Sequence, residues 1–246
     1  MDPDLYPDLI AAAGLSAALE QAAAALGADL VIVRDGGDAV LQARVATAVP
    51  DRDPLVVHTY AKERGFTFSG WSRGVELISG STADLGDVVR VGAAWGDGTG
   101  FRDLHQRFSF LHPSERAEAH ERGPAAEVEL QWRRLHEQAA EAPDFDGFRL
   151  LVQAAHAEPR LRQLFAFSSH WVLGFSARTG HPSRLEVAIV PAHDGHPYRV
   201  KDHLHLGDGV IGEAATAEEA VALAVAHLPA GLGPAVAGTS APDDGR

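Results

Sequence analysis

Short runs of β-branched and aromatic residues, joined by connections too brief to hold a crossover helix, constrain this chain more than any other feature. DLVIVRDGG, AVLQARVATAV and PLVVHTY follow one another, the first two across a Gly-Gly step, so residues 29–60 read as an antiparallel meander. GFTFSGWSRGVELISGS adds one or two further strands. The pattern returns in SHWVLGFSA, RLEVAIVPA and HPYRVKDHLHL, with turns at TGHPS and HDGHP.

Helical signals bracket both strand-rich stretches. LSAALEQAAAALG, residues 15–27, is rich in alanine and leucine, and Gly27 suits a left-handed cap. In TADLGDVVRVGAAW the period lengthens, with Leu85, Val88, Val89, Gly92 and Trp95 at helical offsets and Thr82 as the expected N-cap. GDG stops that helix, FRDLHQRF gives a short turn of helix, and PSERAEAHERG reads as a connector or exposed helix. Residues 125–142 place Val128, Trp132, Leu135 and Ala139 on one side of a covering helix. A second helix over 145–157 must end near Glu158, because Pro159 disfavours helix before it and suits the first turn of a new one. TAEEAVALAVAHLP opens on a capping box, Thr216 with Glu219, and stops at Pro229.

The expected fold class is therefore α+β: two similar halves, each an antiparallel sheet covered by helices. The boundaries read as 1–112 for the N-terminal half, 113–164 for a helical connector, 165–230 for the C-terminal half and 231–246 for a flexible tail. FTFSGW against FAFSSHW, and STADLGDVVRVGAAW against ATAEEAVALAVAHL, raise an internal duplication.

Composition removes several function classes. No cysteine is present, so a disulfide framework, a thiolate nucleophile and a cysteine zinc site are excluded, and any metal would rest on His, Asp and Glu. With 34 acidic against 21 basic side chains the net charge is −13, which repels nucleic acid and anionic membranes. The N-terminal MDPDLYPDLI lacks a signal-peptide pattern and no apolar run is long enough to span a membrane, so a cytoplasmic protein is expected.

Histidine dominates the candidate chemistry. SSHWVLGFSA reads as a strand whose alternation sends His170, Val172 and Gly174 to one face and Trp171, Leu173 and Phe175 into the core. Ser169 and His170 then point apart, and neither Ser168 nor Ser169 is the centre of a G-x-S-x-G sequence, which argues against a serine hydrolase built on this pair. KDHLHL sets His203 and His205 on one strand face about 7 Å apart. With His193 or His196 they would make a metal site; without a third ligand they are solvated imidazoles on a half-exposed strand. No metal and no cofactor is expected. His136 and His156 read as isolated among charges. Arg133, Arg134, Arg149, Arg160 and Arg162 form either an anion site or ion pairs with Glu129, Glu137, Glu141 and Glu158. WGDGTG lacks the strand before it and the lysine after it that a phosphate loop requires, so it is a helix stop.

LRQLFAFSSHWVLGFSARTG, HPYRV and GEAATAEEAVALAVAHLPAGLGPAVAGT together resemble the C-terminal half of the DUF6193 family of actinobacterial natural-product biosynthesis proteins, and YPDLIAAAGLSAALEQAA and WGDGTGFRDLHQRFSFL are also similar. The resemblance implies an accessory or tailoring protein of ribosomal peptide biosynthesis. Such a protein binds a modified precursor peptide, or a partner biosynthetic enzyme, and as an enzyme would be a metal-independent cyclase or lyase adding a thiol to a dehydroamino acid. His170 and His203 are the catalytic candidates; Ser169, Trp171, Arg178, Arg199 and His205 are the substrate-binding ones. The alternative is a non-catalytic binding protein, such as an immunity factor or a scaffold.

Overall fold

A computed structural model describes residues 2–34, 40–112, 114–182, 184–202, 204 and 209–239. The chain divides into two units, Met1–Glu121 and Arg122–Arg246. The helical span expected as a connector is therefore shared out: most of its first helix belongs to the first unit, and the remainder builds the core of the second.

In the first unit, α1 (Pro7–Ala11) and α2 (Leu15–Leu26) precede β1 (Gln42–Val45), β2 (Leu55–Thr59), β3 (Phe66–Ser72) and β4 (Val75–Thr82). Then come α3 (Leu85–Gly96), α4 (Phe101–Arg107) and α5 (Glu115–Arg122). The strands form an antiparallel sheet in the order β1-β2-β3-β4. Strand alternation buries Phe66 and Phe68 against Val88, Val89 and Trp95 of α3, while Trp71 on the other face stays exposed. Arg73 and Gly74, both at positive φ, turn β3 into β4. The Gly-Gly step expected near residue 36 lies outside the described residues.

Two helix ends show how the local chemistry resolves. Gly27 takes the left-handed cap at φ 63°. The N-cap of α3 is Asp84, whose Oδ1 accepts from Gly86 N at 2.7 Å, rather than Thr82. Thr82 still closes β4, and its hydroxyl donates to Asp87 Oδ2 and accepts from Asp84 N.

The second unit runs α6 (Pro124–Glu141), α7 (Asp146–Ala157), α8 (Pro159–Arg162), β5 (Phe165–Ser169), β6 (Val172–Ser176), β7 (Leu185–Val190), β8 (Tyr198–Lys201), β9 (Val210–Ala214) and α9 (Ala217–His227). Its five strands form an antiparallel meander in sequence order. The core face carries Leu173, Phe175, Val187, Ile189, Tyr198 and Val200 against Trp132, Leu151, Val152, Ala220 and Val221 of the helices. α7 lies between α6 and α9, and α9 in turn covers β7 to β9. The Thr216–Glu219 capping box forms as expected, and Pro159 opens α8 with Glu158 as its N-cap.

Three expectations are corrected here. SSHWVLGFSA is not one strand: β5 ends at Ser169, β6 begins at Val172, and Ser169 pairs with Val172 across a two-residue turn made by His170 and Trp171. Leu173 and Phe175 are buried as expected, but Trp171 is 39% exposed. Residues 231–239 are not a loose tail, because the segment lies alongside residues 177–180: Val236 N donates to Ala177 O, Thr179 N to Val236 O and Gly180 N to Gly238 O, at 2.9–3.1 Å. Nor do the F-x-F-S elements stand at equivalent places, since one is in the third of four strands and the other in the first of five. The two units nonetheless share one plan of helix, antiparallel meander and covering helix.

Candidate functional site

The turn between β5 and β6 is chemically unusual. Two-residue hairpin turns of type I′ need positive φ at both central positions, which is why Asn-Gly and Asp-Gly dominate them. The second unit uses that chemistry between β7 and β8, where Asp194 (φ 49°) and Gly195 (φ 79°) close a turn flanked by His193 and His196. Between β5 and β6 the same positions hold His170 at φ 47° and Trp171 at φ 67°. A bulky aromatic in the left-handed region costs roughly 1–2 kcal/mol. Such outliers persist where the surroundings hold them, and they concentrate at functional sites.

Both turns border one cavity of about 690 Å³. Its walls are the α6–α7 link from Glu141 to Phe145, the His170-Trp171 turn, the β7–β8 connection from Val190 to Pro197, and Arg199 of β8. A smaller recess of about 440 Å³ borders the β7–β8 connection and Ala215. The main cavity is built on aromatic contacts. The Phe145 ring lies 5.4 Å from that of Trp171 and 4.8 Å from that of His193, and the buried Phe148 meets the edge of Trp171 at 5.2 Å. Trp171 thus has one side on Phe145 and Phe148 at the start of α7 while the rest of its ring is left to the cavity and solvent.

Polar groups enter from the rim. His193 Nε2 is 3.2 Å from Asp194 Oδ2, and Glu141 and Asp144 add carboxylates on the α6–α7 wall. Ser169 Oγ and His170 Nδ1 are 3.3 Å apart, so these neighbours do not point apart as a continuous strand would require. That contact is solvent-exposed, and among the described residues no carboxylate orients the other nitrogen of His170, so the hydrolase arrangement is still incomplete. Three imidazoles, His170, His193 and His196, stand around one groove, where their ring nitrogens offer hydrogen-bond donors and acceptors to a ligand.

Of the residues picked out by sequence, the structure brings His170, Trp171 and Arg199 to this groove and sets Ser169 beside it. Arg178 is elsewhere, beyond the far end of β6 and bridged to Val236. His203 and His205 lie outside the described residues. Among the described residues no group of three or more His, Cys, Asp or Glu side chains is gathered to hold a metal ion. Asp144 and Phe145 are not singled out by the sequence reading, because Asp144 falls in the two-residue gap between the helices read over 125–142 and 145–157 and Phe145 reads as the first residue of the second. The one available signal is an aromatic residue between two aspartates at a helix start.

Three of the five arginines are engaged locally. Arg133 is paired with Glu137 and Arg149 with Asp146, while Arg160 donates to the Val225 and Pro229 carbonyls at the end of α9. His136 and His156 are not isolated, since their rings meet edge to face at 5.0 Å and His156 also lies 5.0 Å from Trp132. Burial, reinforced by His136 and Arg162, holds the His156 pKa below its usual value. Protonation therefore favours the unfolded chain, where the imidazole titrates normally. The His156 contribution to stability should be constant above about pH 6.5, fall as pH drops through that value, and level off below the depressed folded pKa. In urea melts from pH 7.5 to 5, His156→Gln should flatten this slope; an unchanged slope would clear His156 of the effect.

The class defined by these features is an α+β protein whose second unit carries an aromatic groove rimmed by histidines. Residues 126–239 match the model of a family of unknown function, DUF6193, and no curated protein or solved structure matches. The resemblance to that family is thus shown over the second unit and contains every residue lining the groove; the similar N-terminal segments lie outside the matched span. Among the described residues no helix is long and apolar enough to cross a membrane.

Proposed function

We propose that the second unit binds a peptide in the Phe145–Trp171 groove, as an accessory or tailoring protein of ribosomal peptide natural-product biosynthesis. The observation that carries this reading is the His170-Trp171 turn. Two side chains sit where backbone geometry asks for Asn-Gly, and both face a cavity of a size suited to a few peptide side chains. Apolar walls of Phe145, Trp171, Pro191 and Pro197 take side chains, and the imidazoles and carboxylates meet backbone groups.

As an enzyme, the chain would aid addition of a peptide thiol across a dehydroamino acid. His170 accepts the thiol proton as the S–C bond forms at Cβ, the alkene electron pair moves to Cα, and the proton returns there. No oxidant or metal enters this balance. Among the described residues no carboxylate orients the exposed His170, whose Nδ1 meets only the neighbouring Ser169 hydroxyl, and this equally favours binding without chemistry, as in a scaffold or immunity factor.

The test pairs His170→Asn with Trp171→Gly. Relief of left-handed strain, about 1–2 kcal/mol per residue, is set against two edge-on aromatic contacts of about 0.5–1.5 kcal/mol each plus partial burial. The double variant should unfold within about 1 kcal/mol of the parent while losing at least about tenfold in affinity for candidate precursor peptides drawn from neighbouring genes. If none of those peptides binds the parent protein, the reading fails. If binding survives in the double variant, the groove is not the site. Product masses with His170→Ala separate the two versions, since unchanged conversion removes His170 from the chemistry.

A further inference from the structure

We infer that Arg199 anchors a ligand carboxylate in the groove, set beside an aromatic or aliphatic group that packs on Phe145 and Trp171. The inference rests on the peptide-binding reading of the same groove and names the chemistry that the ligand must carry.

Strand alternation in β8 sends Tyr198 and Val200 into the core and turns Arg199 to the opposite face, where it reaches the cavity. Its Nε is buried without a hydrogen-bond acceptor. A buried donor on a charged group is costly to leave unmatched. Val190 stands opposite it on β7 and Glu213 on β9, and the exposed Glu213 does not engage the guanidinium. This sets Arg199 apart from Arg133, Arg149 and Arg160, which spend their donors on carboxylates or helix-end carbonyls.

A carboxylate matches the guanidinium fork in shape and charge. The rest of the groove narrows the ligand further. Glu141, Asp144 and Asp194 on the other walls, within a chain of net charge −13, oppose polyanions such as phosphate esters. A single carboxylate flanked by an apolar group meets both conditions. A peptide offers it either at its C-terminus or on an Asp or Glu side chain.

The experiment follows the indole N–H resonance of Trp171, assigned by its loss in Trp171→Gly, while the intact protein is titrated with three probes. N-acetylphenylalanine carries a terminal carboxylate, N-acetylaspartyl-phenylalaninamide a side-chain carboxylate, and N-acetylphenylalaninamide none. At least one of the acids should bind about tenfold or more tighter than the neutral amide, and Arg199→Gln should erase that difference. The tighter of the two acids identifies the source. Equal binding of acid and amide to the parent protein overturns the carboxylate anchor while leaving the groove as a peptide site. So does an absence of response to all three probes in a protein that still binds a precursor peptide. The acid-to-amide comparison needs no substitution, so the inference remains falsifiable if Arg199→Gln misfolds.

Discussion

Phe148→Ala should lower the unfolding free energy by about 3–5 kcal/mol, the range for removing a sealed aromatic side chain from a core that cannot close over the void. Phe148 is fully buried on α7 among the helix and sheet side chains of the second unit. Its ring also meets those of Phe145 at 6.1 Å and Trp171 at 5.2 Å, so it is the floor on which the groove stands. Since whole domains are stable by only about 5–15 kcal/mol, the loss is a large fraction of the total. Urea denaturation of the parent and the variant measures it. A loss under about 1 kcal/mol would mean that the neighbours collapse into the space and that Phe148 does not support Trp171. Below its midpoint the variant should still fold, yet bind groove ligands more weakly, because Trp171 loses an edge contact that holds it in the left-handed conformation.

The contrast between Phe148 and Trp171 also shows where sequence reading stops. Phe148 belongs to a helix whose apolar spacing is visible over a dozen residues, as are the α6 stripe of Val128, Trp132 and Leu135 and the capping box at Thr216. These are local signals repeated at a fixed period, and they survive in the fold. Trp171 depends on a single junction. The residues that set a tight turn most strongly, Gly, Asn, Asp and Pro, are all missing from SSHWVL, and its two serines are a weaker signal, so the run reads as one strand. Tertiary packing overrides that local preference: Phe145 just before α7 and Phe148 within it hold the indole, and Ser169 pairs with Val172 across the turn. The groove was legible only in pieces for the same reason. His170, Trp171 and Arg199 could be picked out one by one, but their meeting with Asp144 and Phe145 depends on where α7 begins relative to the β7–β8 connection, a long-range relation no spacing records.

α7 meets that connection at a glycine, beside the groove. Gly147→Ala should destabilise the protein by about 2 kcal/mol, within the usual range for overpacking. A Cβ on residue 147 would stand 2.0 Å from the carbonyl oxygen of Ala192 and 3.0 Å from its carbon, so backbone rather than a flexible side chain must give way. The intrinsic preference for alanine over glycine in a helix works the other way by at most about 1 kcal/mol, and less in a first turn. Sterics win. The Gly147 carbonyl also accepts from the Tyr198 hydroxyl at 3.2 Å, where burial, with Glu218 and Asp146 adding to it, raises the tyrosine pKa and keeps the proton in place. Moving either partner therefore strains a bond between α7 and β8 while shifting Phe145 away from His193. As a control, Gly195→Asn at φ 79°, with nothing within 4 Å of the added Cβ, should change stability little, because asparagine tolerates the left-handed region. Thermal melts and groove titrations on both variants decide it. If Gly147→Ala is as stable as the parent and binds as well, the close approach of α7 to Ala192 does not set the groove.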